Sequence, residues 1–391
     1  MSTNLFDTLL ESIDLDAQLL PYLDLSGWQQ VERNDSNWSI WHIDAPEDDQ
    51  PYELVFPVRS KRGERREYAR KAIEFLAALH DEQEERTVQR VINYDRDVLF
   101  LRNTDTNVNQ TLPLPLASDH VRGLERIFLY AASAEHDPKP YFDRPPRAAQ
   151  TDVQGFSFGH TLPGSFIFTV TAPRLPALQP IQLTFKDLDG EEDRLIQLIN
   201  RPRARRIGER VARGLQFIRQ AERSQDSSLL ITEYHSAFNA NIYQALVEVA
   251  LRGNAKVEFD IAWSPKLAPA HDVADFSPVR VRREEISTLK YVAKELRDTK
   301  PEPMTIAGNV RGLTVDDNPR LESARRVVIL YGNNPITGRS ANFIVELARD
   351  DYRRAIVAHT DWEFVQIAGT PVRSGDGWRL LDARDFRVFT V

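Results

Sequence analysis

The chain has no cysteine in its 391 residues. That absence excludes disulfide bonds, zinc sites with thiolate ligands and a cysteine nucleophile, and it favours a reducing compartment. The sequence also has no apolar run long enough to cross a bilayer, and residues 1–7 carry neither the basic nor the apolar region of a secretion signal. We therefore expect a cytoplasmic protein with no membrane partner.

Catalytic signatures are missing as well. The sequence contains no His-x-x-x-His pair and no paired-carboxylate motif. The segment Gly332–Ser340 resembles a phosphate-binding loop, but it has an extra residue between its glycines and Arg339 in place of the lysine. These patterns predict no cofactor and no bound metal ion.

Positive charge is in short supply, because 50 lysines and arginines stand against 58 aspartates and glutamates, for a net charge of -8. Proteins that bind duplex DNA by bulk electrostatics neutralise phosphates with lysine and arginine, and an acidic chain is poorly suited to that. Any contact with nucleic acid must therefore use a local basic patch.

The length and the mixed strand and helix patterns predict an α+β protein with more than one domain. A proline-rich stretch at 137–146 and a linker at 298–303 divide the chain into three domains. These are a mixed α/β N-terminal domain at 1–145, an α+β middle domain at 146–300, and a C-terminal domain at 301–391.

The middle domain is predicted to contain a hairpin followed by helices. Alternating aromatic residues flank Leu162-Pro163-Gly164, a sequence typical of a type II turn. A third strand is expected at Ile181–Phe185. Helices are expected near residues 191–199, 204–223 and 229–251, from their apolar periodicity.

The C-terminal domain shows three strand-like segments, one short helix and two more strands. The strands are expected at 304–315, 325–331, 340–347, 362–372 and 378–391, and the helix at 350–359. This order resembles the five-stranded OB barrel, whose helix closes the barrel between its third and fourth strands. The resemblance also rests on the strand patterns Ile306–Val310 and Val365–Gly369.

The whole chain resembles uncharacterised bacterial proteins of this length that join a Gly-Trp N-terminal region to a Gly-Ser-Phe strand and an OB-like tail. Here these features are Gly27-Trp28 and Gly164–Phe166. The resemblance suggests an antiviral-defence complex as the setting and implies no activity.

An arginine row marks the middle domain. From Arg201 to Arg223 there are eight arginines and two glutamates, a local charge of 8 − 2 = +6. Four of the arginines share one helix face and are candidate ligands for nucleic acid or other phosphates: Arg203, Arg206, Arg210 and Arg213. The alternative is a solvated face, or an interface with an acidic neighbouring domain.

The barrel supplies further candidates for nucleic-acid or phosphate binding, namely Arg325, Arg326 and Arg339. Tyr331 and Phe343 could stack on bases there, or could belong to the barrel core. The charge of residues 304–391 is nearly balanced, with twelve arginines against eleven acidic residues.

The best catalytic candidates are Glu233, His235 and Asn239, with His235 and Asn239 one turn apart beside an apolar helix stripe. Polar groups at such positions commonly satisfy one another instead. The leading hypothesis is therefore a non-enzymatic adaptor or regulatory subunit that binds a protein partner, with nucleic acid left open as a second partner. The alternative is a nuclease or hydrolase with its site in the middle domain.

Overall fold

The computed structural model of the chain describes most of its residues. They are residue 10 and residues 13–31, 37–44, 50–59, 61–103, 112–159, 166–176, 184–185, 199–252, 256–299, 303–318, 321–374 and 377–389. The protein is α+β, and its strands form three sheets. Within the described residues, no helix is both long enough and apolar enough to cross a membrane.

The N-terminal part combines a small antiparallel sheet with helices. Its elements, after a π-helical turn at Leu15–Leu19, are α1 (Leu20–Leu25), β1 (Gln29–Val31), β2 (Trp38–Ile43), β3 (Tyr52–Pro57), α2 (Arg62–Leu79) and α3 (Glu84–Ile92). The sheet order is β1-β2-β3, in which β2 and β3 are antiparallel neighbours along the chain. Trp28, Trp41 and Leu76 lie in its buried core.

The central part is built around a five-stranded antiparallel sheet, whose strands lie in the order Ser157–Phe158, Ile167–Thr171, Val98–Asn103, Lys256–Ala262 and Val279–Arg282. The elements from here to the barrel are β4 (Val98–Asn103), α4 (Leu114–His136), α5 (Arg147–Val153), β5 (Ser157–Phe158), β6 (Ile167–Thr171), β7 (Thr184–Phe185), α6 (Arg203–Ser224), α7 (Ser228–Thr232), a 3-10 turn (Glu233–His235), α8 (Ala240–Arg252), β8 (Lys256–Ala262), α9 (His271–Ala274), β9 (Val279–Arg282) and α10 (Glu285–Asp298).

The two faces of the central sheet belong to different cores. Leu99 and Phe259 face α4, α6, α8 and α10 in the largest apolar cluster of the described residues. Val98 and Phe100, which alternate with Leu99 along β4, join the N-terminal cluster on the other face. The expected division at residue 145 cuts across this core, because β4 and α4 precede it and pack with elements that follow it.

The last part of the chain is a closed five-stranded barrel with one helix. Its elements are β10 (Met304–Val315), β11 (Arg326–Asn333), β12 (Ser340–Glu346), α11 (Arg349–Asp361), β13 (Phe364–Ser374) and β14 (Gly377–Phe389). The strands follow the order β11-β12-β14-β13-β10, and β10 pairs with β11 to close the circle. The expected OB-like barrel, including the helix between its third and fourth strands, is confirmed.

Close strand crossing explains one glycine of the barrel. A Cβ atom at Gly308 would lie 2.0 Å from the carbonyl oxygen of Tyr331, so a larger residue cannot occupy this point without moving the backbone. The pairing of β10 with β11 shifts register between Val310 and Gly312, which marks a β-bulge. The bulge and the close approach together allow β10 to curve from β13 to β11.

Two expectations for the middle domain have different outcomes. The described end of the expected strand Ile181–Phe185 is β7, which pairs with Gly312 and Leu313 of β10 and so extends the barrel sheet. Strands β5 and β6 pair as the expected hairpin requires, with Phe158 opposite Val170. The turn at Leu162–Gly164 and the helix expected near 191–199 lie outside the described residues, apart from Ile199.

Candidate binding surfaces and the arginine network

The arginine row of α6 lies mostly inside the protein. The side chains of Arg206 and Arg213 are 9% and 5% exposed, and that of Arg210 is fully buried. Arg203, at the start of the helix, is 44% exposed and pairs with Asp152 at 3.2 Å. The row therefore faces other parts of the protein rather than an open surface.

Glu135 of α4 is the acidic partner of two of these arginines. Its Oε2 accepts from Arg206 Nε at 3.0 Å, and its Oε1 accepts from Arg210 Nε at 2.9 Å. Burial alone would raise the pKa of Glu135, but the guanidinium groups of Arg210 and Arg206 outweigh it and hold the pKa below its ordinary value. The Glu135 carboxylate is therefore ionised between two buried cations.

The remaining donors of Arg210 are also occupied. Its Nη1 donates to the carbonyl oxygen of Ala237 at 3.0 Å and its Nη2 to that of His235 at 2.9 Å. These carbonyls lie at the end of the 3-10 turn and in the connection between that turn and α8. The arginine thus stabilises a break between two helices.

Asp272 links the central part to the barrel. It accepts from Arg213 Nε at 2.6 Å, and Arg373 of β13 approaches the same carboxylate at 3.8 Å. Burial tends to raise the pKa of Asp272, yet the Arg213 charge holds it below the ordinary value. Such a contact is what the alternative interpretation of the arginine row predicts, namely an interface with an acidic neighbouring part of the protein. Phosphate binding by the row stays a prediction, and it would require these ion pairs to open.

The catalytic candidates take part in local structure. Asn239 Oδ1 accepts from the backbone N–H of Ile242 at the start of α8, and its Nδ2 donates to the carbonyl of Tyr130. Glu233 accepts from the hydroxyl of Ser236 at 2.8 Å. Asn239 thus lies beyond the 3-10 turn that contains His235, and a continuous helix over 229–251 was the wrong expectation, because the chain breaks between α7 and α8.

His235 is buried, and its Nδ1 has no hydrogen-bond partner among the described residues. Burial, together with the nearby Arg210 charge, lowers the pKa of His235 to about 4. The ring is therefore neutral at physiological pH. In the described part of the chain, no group of three or more histidine, aspartate or glutamate side chains is placed to hold a metal ion.

The candidate arginines of the barrel have three different environments. Arg325 is exposed and pairs with Glu346 at 2.6 Å. Arg326 is buried and donates to the carbonyl oxygens of Ala324 and Leu321. Arg339 is exposed in the turn before β12. Phosphate binding at these three positions stays a prediction.

Aromatic side chains line up across the outside of the barrel. Phe389 of β14 lies opposite Phe364 of β13, Phe364 lies opposite Asn309 of β10, and Asn309 lies opposite Tyr331 of β11. Directly opposed residues project from the same side of a sheet. Val365 and Leu330, which alternate with them, lie in the barrel core, so this row faces outward. Phe343, by contrast, is a core residue.

This row is exposed and carries positive charge. Phe364 and Phe389 are 41% and 45% exposed. The guanidinium of Arg311 lies 3.8 Å from the centre of the half-buried Tyr331 ring. Arg387 of β14 lies opposite Gln366 of β13, two residues along these strands from the Phe364–Phe389 pair. We call Tyr331, Phe364, Phe389, Arg311 and Arg387 the aromatic face.

Sequence reasoning identified Tyr331 but missed Phe364 and Phe389. The alternation of Val365 and Ile367 with Phe364 and Gln366 marks an outward side of β13. It cannot show which residues of β14 lie beside them. The pairing of β13 with β14 contains two register shifts, so counting residues back from the turn between them does not give the correct partners.

Comparison of the chain with protein-family models, curated proteins and solved structures finds no match in any of the three. The comparisons therefore supply neither a family nor an activity, and function has to be inferred from the residues themselves.

Proposed function

We propose that the protein is a non-enzymatic binding subunit whose aromatic face binds single-stranded nucleic acid. The observation that carries this proposal is the alignment of Phe364 and Phe389, with the Arg311–Tyr331 pair, on the outside of a barrel. Proteins bind unpaired strands by stacking bases on aromatic rings beside arginines that contact the backbone.

Positive charge on and beside the aromatic face, together with its exposed rings, favours an unpaired nucleic-acid strand over a duplex. Arg311 lies over the Tyr331 ring, and Arg384 and Arg387 of β14 lie opposite the uncharged Ala368 and Gln366 of β13. Three arginines give a modest attraction to phosphate, which suits a chain of net charge -8. Aromatic rings on the surface of the β-sheet can stack only on bases that are not paired in a duplex.

The adaptor or regulatory role expected from the sequence fits this proposal, because the barrel would hold a strand while other surfaces hold a protein partner. A catalytic site in the middle domain has less support, since Asn239 and Glu233 already hydrogen-bond to neighbouring groups.

Binding of a dye-labelled thymidine oligonucleotide, followed by fluorescence anisotropy at low salt, tests the proposal. Replacing Phe364 and Phe389 together with alanine should weaken binding, because each lost stacking contact costs about 1–3 kcal/mol. Tyr291→Ala is the matched control, since Tyr291 is 52% exposed on α10 and belongs to no such row.

Two results would contradict the proposal. One is the absence of oligonucleotide binding by the wild-type protein at low salt. The other is an equal loss in the Tyr291→Ala control and the double variant. If the double variant loses a defined protein partner while the wild type binds no oligonucleotide, the aromatic face is a protein-docking surface instead.

A further inference from the structure

A second basic surface lies at the far end of the arginine-rich helix. An open pocket of about 660 Å³ lies between the end of α6 and strand β9. Four arginines line it: Arg219 and Arg223 from α6, and Arg280 and Arg282 from β9. We call this the arginine pocket.

These arginines differ from the buried ones in exposure. The side chains of Arg280 and Arg282 are 65% and 58% exposed, although each has a carboxylate neighbour. Arg280 pairs with Glu258 at 2.6 Å, and Arg282 pairs with Glu222 at 2.9 Å. Exposed pairs of this kind contribute about 0.2–1 kcal/mol and open readily for a stronger ligand.

The charge of the pocket is positive. Four guanidinium groups face two lining carboxylates, Glu222 and Glu258, so the balance is 4 − 2 = +2 on a chain of net charge -8. Arg102 also approaches Glu258, at 3.9 Å, which further reduces the negative potential of that carboxylate. Arg219 donates one weak hydrogen bond, 3.5 Å long, to the carbonyl oxygen of Ser277.

We propose that the arginine pocket binds phosphate groups, in a polyphosphate or in the backbone of a nucleic-acid strand. A guanidinium group can donate two parallel hydrogen bonds to two oxygens of one phosphate. Four guanidinium groups, two from α6 and two from β9, line this pocket. The site is distinct from the barrel's aromatic face and does not depend on it.

Titration with inorganic tripolyphosphate, followed by thermal shift and calorimetry at low salt, tests the pocket. The wild-type protein should bind the anion, and Arg219→Gln combined with Arg223→Gln should lose at least tenfold in affinity. Arg280→Gln combined with Arg282→Gln, from a different element, should show the same loss. The control pairs Arg122→Gln with Arg353→Gln, two exposed arginines on α4 and α11.

A thymidine oligonucleotide distinguishes the two sources of phosphate. If a strand occupies the pocket, the Arg219/Arg223 variant should reduce the salt slope of oligonucleotide binding by roughly 1.4, since each lost contact removes about 0.7. If only free polyphosphate binds, the slope stays unchanged while tripolyphosphate affinity falls. The combined Phe364→Ala and Phe389→Ala variant should keep its tripolyphosphate affinity, so failure at the barrel and failure here can be told apart.

The pocket is not a phosphate site if the wild-type protein binds neither tripolyphosphate nor the oligonucleotide at low salt. An equal loss of tripolyphosphate affinity in the Arg122/Arg353 control would also overturn the proposal. The loss would then follow from the lower positive charge of the protein and not from the pocket. Circular dichroism and thermal melting of each variant confirm that it is folded before its affinity is compared.

Discussion

Among the described residues, Glu135 is the carboxylate that accepts hydrogen bonds from both Arg206 and Arg210. Its side chain is 1% exposed, so water cannot replace it if it is removed. A buried ion pair adds little net stability, but the loss of one partner leaves a buried charge without compensation. The consequence of removing Glu135 should therefore be large.

We expect Glu135→Gln to lower the free energy of unfolding by about 3–5 kcal/mol, because two guanidinium groups lose their counter-charge. Urea unfolding followed by circular dichroism measures this. Glu346→Gln is the control, since the Arg325–Glu346 pair is exposed and should change stability by less than about 1 kcal/mol. Equal effects of the two substitutions would show that Arg206 and Arg210 do not depend on Glu135.

At the scale of the element, β10 depends on a residue without a side chain. We expect Gly308→Ala to destabilise the barrel by about 1–3 kcal/mol, since its Cβ would overlap the Tyr331 carbonyl oxygen and the backbone would have to move. Thermal melting measures the change.

Gly63→Ala provides the comparison, because nothing lies within 4 Å of a Cβ atom at Gly63 and the residue is in helix α2. Alanine there should be neutral, or stabilising by up to about 1 kcal/mol. If Gly308→Ala melts at the wild-type temperature, the close crossing of β10 and β11 is not a constraint on the barrel.

The elements that the sequence predicts best are those whose pattern is complete within one segment. The apolar run of β11, the alternation in β13 and the acidic start of α11 are local, and the barrel follows from the order of the elements. The arginine row was visible as spacing, but its partner Glu135 lies 71 residues before Arg206 in the chain. Periodicity shows that a helix face is basic, and only the fold shows which carboxylates meet it.

At the scale of the whole molecule, two histidines stay uncharged inside the protein. His120 is fully buried, and Asn103 Nδ2 donates to its Nε2 at 3.2 Å. Burial lowers the pKa of His120 to about 4, and burial with the Arg210 charge lowers that of His235 to about 4. The unfolded chain takes up protons on both rings near pH 6.5, before the folded protein does.

Stability should therefore fall as the pH drops from about 6.5 to about 4, by at most about 3 kcal/mol for each ring. Glu285 acts in the opposite direction, because burial raises its pKa to about 7 and the folded state then holds the extra proton. The histidine effect is isolated as the difference in unfolding free energy between wild type and the His235→Gln or His120→Gln variant across this range.

If the slope of unfolding free energy against pH is the same in wild type, His235→Gln and His120→Gln, the two histidines are not the source of this pH dependence.

The pairing of β7 with β10 affects any attempt to produce the barrel alone. A fragment that begins near residue 301 would lose Thr184 and Phe185, which pair with Gly312 and Leu313 on the edge of β10 that faces away from β11. Uncovered strand edges recruit identical edges from other copies. Such a fragment should self-associate, and fusing residues 184–185 to it through a flexible linker should restore a monomer.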